Sequence, residues 1–350
     1  MKHIFLIHSH ITFFVVKQYI HDYHIAPCDC VLFCCRDYYL PQNYVGVFPS
    51  IVRYPKDVFA SNKEDLSPFV NVITNFRGKK RLECAILSYC NNESFYFYPF
   101  YTASHFVSLV FSMPQCQGYF IIEEGTSAYL SKQELYALCP PPKKWYNSIL
   151  RRIFPEFYSL KDEAFSENSP KYQGTLSFSN KAFAAMGGEH IVLSNPFEQS
   201  FLSYSPSIIL SIDGSLSLYA IDMDVIEKVY SHIEQFIRQK DGIGKVIAYK
   251  FHPMFLAREG LQQKIREVIH MVFQKYTVKE LDKTISIENL LNTYHCDFYT
   301  DFSSIGIYKD LLKCNCYSYA AYMAHLLPNS AYYRNYTNSQ RIITLFYNGI

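Results

Sequence analysis

Short apolar runs separated by longer stretches of helical periodicity set the first constraint on this chain. Residues 3–8 read as a strand, and 11–21 as a helix after the His8-Ser9-His10 turn. Further strands are expected at 30–35, 45–53 and 83–89, a helix at 102–112, and a strand at 119–123 that ends on Glu123-Glu124-Gly125. Strand, helix and strand in that order make a βαβ crossover, and the alternation argues for α/β architecture. In open α/β sheets ligands sit beyond the carboxyl ends of the strands, where these two glutamates fall.

The pattern breaks and then resumes. Cys139-Pro140-Pro141-Pro142 interrupts it, and a basic, aromatic stretch follows from Lys143 to Phe154. That stretch reads as an amphipathic helix packed on the first domain, or as a surface for an anionic membrane. A Ser/Asn/Pro-rich region leads to a domain boundary within 195–206, giving domains of about 1–200 and 201–350. The second unit is expected to run as a strand (207–212), the loop Asp213-Gly214-Ser215, a helix (225–239) and a strand (244–251) ending on His252-Pro253. A helix (259–276), a strand (283–287), a helix (288–294) and a strand (296–301) follow, then the loop Phe302-Ser303-Ser304. The C-terminal segment is expected to pack back on the first domain.

Composition narrows the function classes. A chain of 350 residues suits two domains. Hydrophobic residues at 49% and charged residues at 18% argue against global disorder. A net charge of +2 provides no field for holding nucleic acid. The 11 cysteines are odd in number and follow no secretory leader pattern, so they read as free thiols of a reducing compartment. Cys28, Cys30, Cys34 and Cys35 fit no common zinc spacing. No run approaches the ~20 apolar residues of a membrane span. The expected location is cytoplasmic, with peripheral contact at the inner membrane. The dense aromatic run Phe95–Tyr101 is expected to offer a surface to an apolar or sugar partner.

Three strand ends carry chemistry. After Ile121-Ile122 come Glu123 and Glu124, and neighbours on an extended chain point to opposite sides, so one of them faces a substrate. Such a carboxylate takes a proton from a sugar hydroxyl, and Gly125 lets the backbone turn. The second end is Lys250-Phe251-His252-Pro253, where proline holds the histidine extended at the lip of the sheet. An imidazole there donates a hydrogen bond or a proton to phosphate. At the third, Ser303 and Ser304 offer hydroxyls and backbone N–H groups to an anion. Each motif alone also reads as an ordinary turn or cap. Asp222-Met223-Asp224 has the form of a metal-binding D-x-D, but Asp224-x-x-Glu227 reads better as a capping box. His8 and His10 follow the first strand and are candidates to line an acceptor cleft.

In combination these motifs resemble those of bacterial sialyltransferases, in particular lipooligosaccharide sialyltransferases and capsule polysialyltransferases. The resemblance implies the GT-B architecture, two Rossmann-like domains facing a cleft. It implies CMP-sialic acid as donor, an oligosaccharide acceptor of lipopolysaccharide or capsule type, inversion at the anomeric carbon, and no metal or other cofactor. By position in the motif Glu123 is the base, with Glu124 beside it. His252 and Pro253 serve the leaving phosphate together with Ser303 and Ser304. Glu288, in Ile285-Ser286-Ile287-Glu288, holds the ribose. Asp213, Gly214 and Lys250 are expected near the nucleotide. The other readings are a GT-B enzyme with another donor (CMP-Kdo, a different nonulosonic acid or a diphospho-sugar) and a non-catalytic glycan-binding protein.

Overall fold

The computed structural model describes residues 1–35, 38–41, 44–53, 80–81, 83–102, 105–131, 133–134, 167, 169–252, 255 and 258–350. The chain divides into two compact units, Met1–Pro196 and Phe197–Ile350. Pro253 and the stretch 135–166, which includes Lys143–Phe154, lie outside the described residues. No helix among the described residues is long and apolar enough to cross a membrane.

The first unit is built on a seven-stranded sheet in the order β3-β2-β1-β4-β5-β6-β7. Its strands are β1 (Lys2–Ile7), β2 (Cys30–Cys34), β3 (Ser50–Arg53), β4 (Phe95–Tyr98), β5 (Cys116–Ile122), β6 (Tyr172–Ser177) and β7 (Glu189–Val192), all paired in parallel. Every residue of β2 is buried, as expected of a parallel strand covered on both faces. Helix α1 (His10–Asp22) starts at a full capping box. The Ser9 hydroxyl accepts from the Thr12 backbone, and the Thr12 hydroxyl takes the Ser9 N–H in return. Such a cap contributes about 1 kcal/mol, and here it also fixes where His8 and His10 leave the sheet. Helix α2 (His105–Ser112) makes the crossover from β4 to β5.

The second unit carries six parallel strands in the order β10-β9-β8-β11-β12-β13. They are β8 (Ile208–Ile212), β9 (Val246–Phe251), β10 (Thr277–Glu280), β11 (Asp297–Thr300), β12 (Cys316–Ser318) and β13 (Asn348–Gly349). Its helices of five or more residues are α3 (Gly214–Leu218), α4 (Met223–Asp241), α5 (Glu259–Val272), α6 (Ile287–Tyr294), α7 (Ala320–Leu326) and α8 (Ala331–Phe346). Apolar residues of α4 and α5 (Ile226, Val229, Ile233, Ile265, Ile269) bury against Ile208, Leu210 and Ile247 of the sheet. The C-terminal segment supplies β13, which extends this second sheet beyond β12.

Both sheets reverse direction once. In the first the chain runs outward from β1 to β3, then restarts at β4 on the other side of β1; in the second the same reversal separates β8 from β11. These are topological switch points, where the loops at the carboxyl ends part and leave a crevice.

Four expectations are corrected. Residues 83–89 are helical, and the strand lies at Phe95–Tyr98 instead. Ile86 and Cys90 are buried four residues apart, a helical spacing that a short apolar run does not reveal by itself. Residues 283–287 are not a strand. β10 ends at Glu280, and Ser286 caps α6 by accepting from Asn289 N. The aromatic run at 95–101 is core rather than surface, because β4 is an inner strand: Phe95, Phe97, Tyr98 and Phe100 are all buried. Finally, α4 is entered from Asp222, whose side chain makes no capping bond, and Asp224 sits in its first turn.

Candidate active-site residues in each unit

In the first unit, β5 ends at Ile122 and the two glutamates part. Glu123 turns inward and is fully buried. Its Oε1 accepts from the Tyr129 hydroxyl at 2.7 Å and its Oε2 from the Phe178 N–H at 2.8 Å, while its own N–H pairs with Leu176 O. That carboxylate ties the end of β5 to the end of β6. Glu124 turns the other way and stays partly open to solvent. Its Oε2 lies 3.0 Å from His8 Nε2, and its Oε1 accepts from the Ser127 hydroxyl at 2.7 Å. The sequence position of Glu123 made it the expected base. Glu123 is 0% exposed, whereas the Glu124 carboxylate, although also held by two partners, keeps 19% of its side chain open to solvent.

His8 follows β1 directly, and its ring stands edge-on to Phe100 with centroids 4.0 Å apart. Its backbone N–H bonds Thr12 Oγ1, so the helix cap and the imidazole are set together. His10 lies further along, with Nδ1 3.3 Å from the Tyr38 hydroxyl. Gly125 has φ of 123°, in the region that favours glycine. The chain takes that conformation after both carboxylates, as it turns from the end of β5 into the 3₁₀ turn Thr126–Tyr129.

The second unit gathers its polar groups at the switch point. Asp213 follows β8 and is buried. Ser211 donates to its Oδ1 at 3.0 Å. Thr300, the Asp301 N–H and the Tyr319 hydroxyl donate to its Oδ2 at 2.8, 2.6 and 3.0 Å. Asp301, also buried, follows β11 and accepts at Oδ1 from Tyr332. Burial raises both carboxyls; for Asp301, burial and the neighbouring Asp213 raise it to about 7. His252 continues the β8–β9 ladder by one bond, its N–H to Ile212 O at 2.9 Å. Burial lowers its pKa, Asp213 opposes that, and Lys250 adds to it.

Lys250, two residues earlier, turns to the Ile285 carbonyl. Burial lowers its pKa against the pull of Glu288 and Asp282. Glu288 lies in the first turn of α6, buried, with the Ser286 hydroxyl 2.7 Å from its Oε2. Gly214 opens α3 and is buried; the expected open loop is a short helix. Ser303 caps the single 3₁₀ turn that follows β11 by accepting from Ile305 N at 3.3 Å. Its carbonyl accepts from the Tyr347 hydroxyl. Ser304 begins that turn and is half-buried.

Asp213, Lys250, His252, Glu288, Ser303 and Ser304 therefore share the carboxyl-end face of one sheet. Asp301, Tyr319 and Tyr332 were not singled out by sequence, although Thr300-Asp301 lies inside the motif read for its serines. The pairing of His8 with Glu124 was missed as well. Among the described residues no group of three or more His, Cys, Asp or Glu side chains is arranged to hold a metal ion. Cys30, Cys34 and Cys35 are buried free thiols, and Cys28 is exposed.

No protein-family model and no curated protein matches the chain. Solved structures do. A structure assigned to UDP-N-acetylglucosamine 2-epimerase of Listeria monocytogenes is similar at a TM-score of 0.51 and 10% identity, over 91% of this chain and 78% of that one. A UGT transferase from Siraitia grosvenorii in complex with UDP matches at a TM-score of 0.49 and 10% identity, over 99% and 86%. The GT-B domain of a sialyltransferase from Photobacterium damselae matches at 0.48 and 12% identity, over 91% and 90%. The likeness to the first of these, together with the two parallel sheets and their switch points, shows the fold alone: the chain has the GT-B fold, with two Rossmann-like units.

Proposed function

We propose that this protein is a glycosyltransferase that moves sialic acid from CMP-sialic acid to a hydroxyl of a cell-surface oligosaccharide, with inversion. The observation that carries this reading is the placement of its motifs. A carboxylate–imidazole pair ends β1 and β5 in one unit. His252, Lys250 and the Ser303 cap end β9 and β11 in the other, with Glu288 beside them. That is the division of labour a sugar-nucleotide transfer needs, acceptor activation in one half and nucleotide holding in the other.

In the reaction the acceptor oxygen forms a bond to the anomeric carbon of the sialic acid. The bond from that carbon to the phosphate oxygen breaks, and its electron pair leaves with CMP. Glu124 takes the hydroxyl proton. It is ready for this because its two oxygens are held by Ser127 and His8. His252 faces the leaving phosphate. In the free protein burial favours its neutral form. A phosphate arriving beside it favours the charged form, so donor binding itself recruits the proton that His252 shares with the departing oxygen. The Ser303 and Ser304 hydroxyls hold the same phosphate, and Glu288 accepts from the ribose hydroxyls. One phosphate, rather than a diphosphate, leaves less charge to neutralise, which suits neutral donors and one histidine.

A donor screen tests this reading. The purified protein is incubated with CMP-sialic acid, CMP-Kdo and UDP-sugars, with and without lipooligosaccharide-type acceptors, and released nucleotide is measured with and without chelator. Slow CMP release from CMP-sialic acid, quickened by acceptor and indifferent to chelator, is the expected result. UDP release without CMP release overturns the donor assignment.

A further inference from the structure

The crevice between β8 and β11 is floored by two carboxyl groups that the reaction above leaves unused. Asp213 is 6% exposed and Asp301 is 3% exposed. Their surroundings differ in the number of donors that meet them. Four donors converge on Asp213, from Ser211, Thr300, the Asp301 backbone and Tyr319. Four converging donors favour the ionised form, because a protonated oxygen would have to turn one of them away. Asp301 has a different neighbour. Its Oδ1 meets the Tyr332 hydroxyl, and that hydroxyl has a second outlet in the Ala320 carbonyl at 3.4 Å. A protonated Asp301 keeps this contact by reversing it, its O–H donating to the Tyr332 oxygen while Tyr332 turns to the Ala320 carbonyl. Two adjacent buried carboxyls do not both ionise readily, and a shared proton is the usual outcome.

The imidazole that follows the neighbouring strand is that of His252. Its N–H bond to Ile212 O brings it alongside the residue that precedes Asp213. Asp213 favours the imidazolium, against burial and against Lys250 from the same strand. The other titratable groups around Asp213 are the phenols of Tyr230 on α4, Tyr319 at the start of α7, Tyr332 on α8 and Tyr347 before β13. Burial holds all four neutral. The charges acting on one another here are thus those of Asp213, Asp301, His252 and Lys250.

We propose that Asp213 is the fixed counter-charge of His252, and that Asp301 carries the proton of the pair, so that the carboxylate beside the imidazole stays ionised while nucleotide binds and leaves. The catalytic meaning of this arrangement rests on the reading of His252 as the phosphate partner; the arrangement itself does not. Both residues act through His252 and are positioning residues.

The test follows His252 by imidazole ¹⁵N NMR in the ligand-free protein across pH. Asp213→Asn lowers the His252 titration midpoint by about one unit or more, the size expected when an adjacent opposite charge is removed. Asp301→Asn leaves that midpoint in place, because Asp301 is already neutral where His252 titrates. An unmoved midpoint in Asp213→Asn, or an equal drop in Asp301→Asn, overturns the assignment. If Asp213→Asn does not fold, carboxyl ¹³C NMR of the unmodified protein decides: Asp301 protonated and Asp213 ionised at about pH 6 supports the pair, and the reverse, or two ionised groups, overturns it. In turnover, Asp213→Asn moves the alkaline limb of the pH profile to lower pH, which a purely structural defect would not do. The titration needs no nucleotide, so its failure is separable from failure of the donor screen.

Discussion

Neighbouring glutamates with opposite surroundings allow a test in which stability and activity separate. Glu123 is fully buried and accepts from Tyr129 O–H and Phe178 N–H. In Glu123→Ala both of these hydrogen bonds are lost from the core. Hydrogen bonds to a charged group contribute about 1.5–3 kcal/mol each, so the expected loss is about 4 kcal/mol. In a unit of this size 1 kcal/mol moves Tm by about 2–4 °C, which makes a fall of roughly 8–16 °C. Glu123→Gln is milder. Its amide oxygen keeps Phe178, its NH₂ donates to the Tyr129 oxygen, and about 1 kcal/mol is lost. Glu124→Gln keeps contacts to Ser127 and His8 and leaves the melting curve in place. It removes the base, and turnover falls by about 10²–10⁴-fold. Differential scanning fluorimetry and a CMP-release assay on the three variants read both axes. If Glu123→Gln loses a hundredfold in rate with an unchanged Tm while Glu124→Gln works normally, the assignment of the base is wrong.

Gly125→Ala forces a side chain into φ of 123°. Strain of about 1–3 kcal/mol follows, and because the same turn aims Glu124, kcat should fall more than KM rises; an active variant with unaltered kcat would detach the turn from the chemistry. The buried acids also set a pH dependence of stability. Asp301 is raised from 3.8 to about 7, so between those values the folded protein binds a proton that the unfolded chain does not. Stability therefore falls as pH rises through that window, by up to roughly 4 kcal/mol, and levels off above it. Denaturation at pH 5 and pH 8 should show this decline in the unmodified protein and a flatter response in Asp301→Asn; equal slopes would exclude Asp301 as its source.

Much of this was legible before any coordinates, and the gaps have physical causes. β1, β2 and β8 stand out as short apolar runs because both of their faces are buried. That same property hid which glutamate faces out. Period-two alternation says that Glu123 and Glu124 diverge, but the residues just before them, Ile121 and Ile122, are both apolar and buried, so the end of β5 offers no polar neighbour from which to read the direction. The helix at 83–89 misled for a related reason: seven residues with one buried face resemble a strand when the run is short. The Asp213–Asp301 contact was not readable at all. An aspartate after an apolar run looks like a solvated turn, and nothing local shows that a residue on another strand will close over it.

The strand order also bears on how the chain is made. β1 lies beside β4, with His3 opposite Tyr96, so an inner strand of the first sheet waits for a neighbour about ninety residues downstream. At synthesis rates of about 5–20 residues per second that gap lasts on the order of ten seconds. Throughout it the edge of Lys2–Phe5 that pairs with β4 has no strand beside it. Until 95–98 emerges from the ribosome, the nascent chain presents an open edge to solvent, to chaperones and to other copies of itself. Yield of this protein should accordingly depend on translation speed and on holdase supply more than on the melting temperature of the finished molecule.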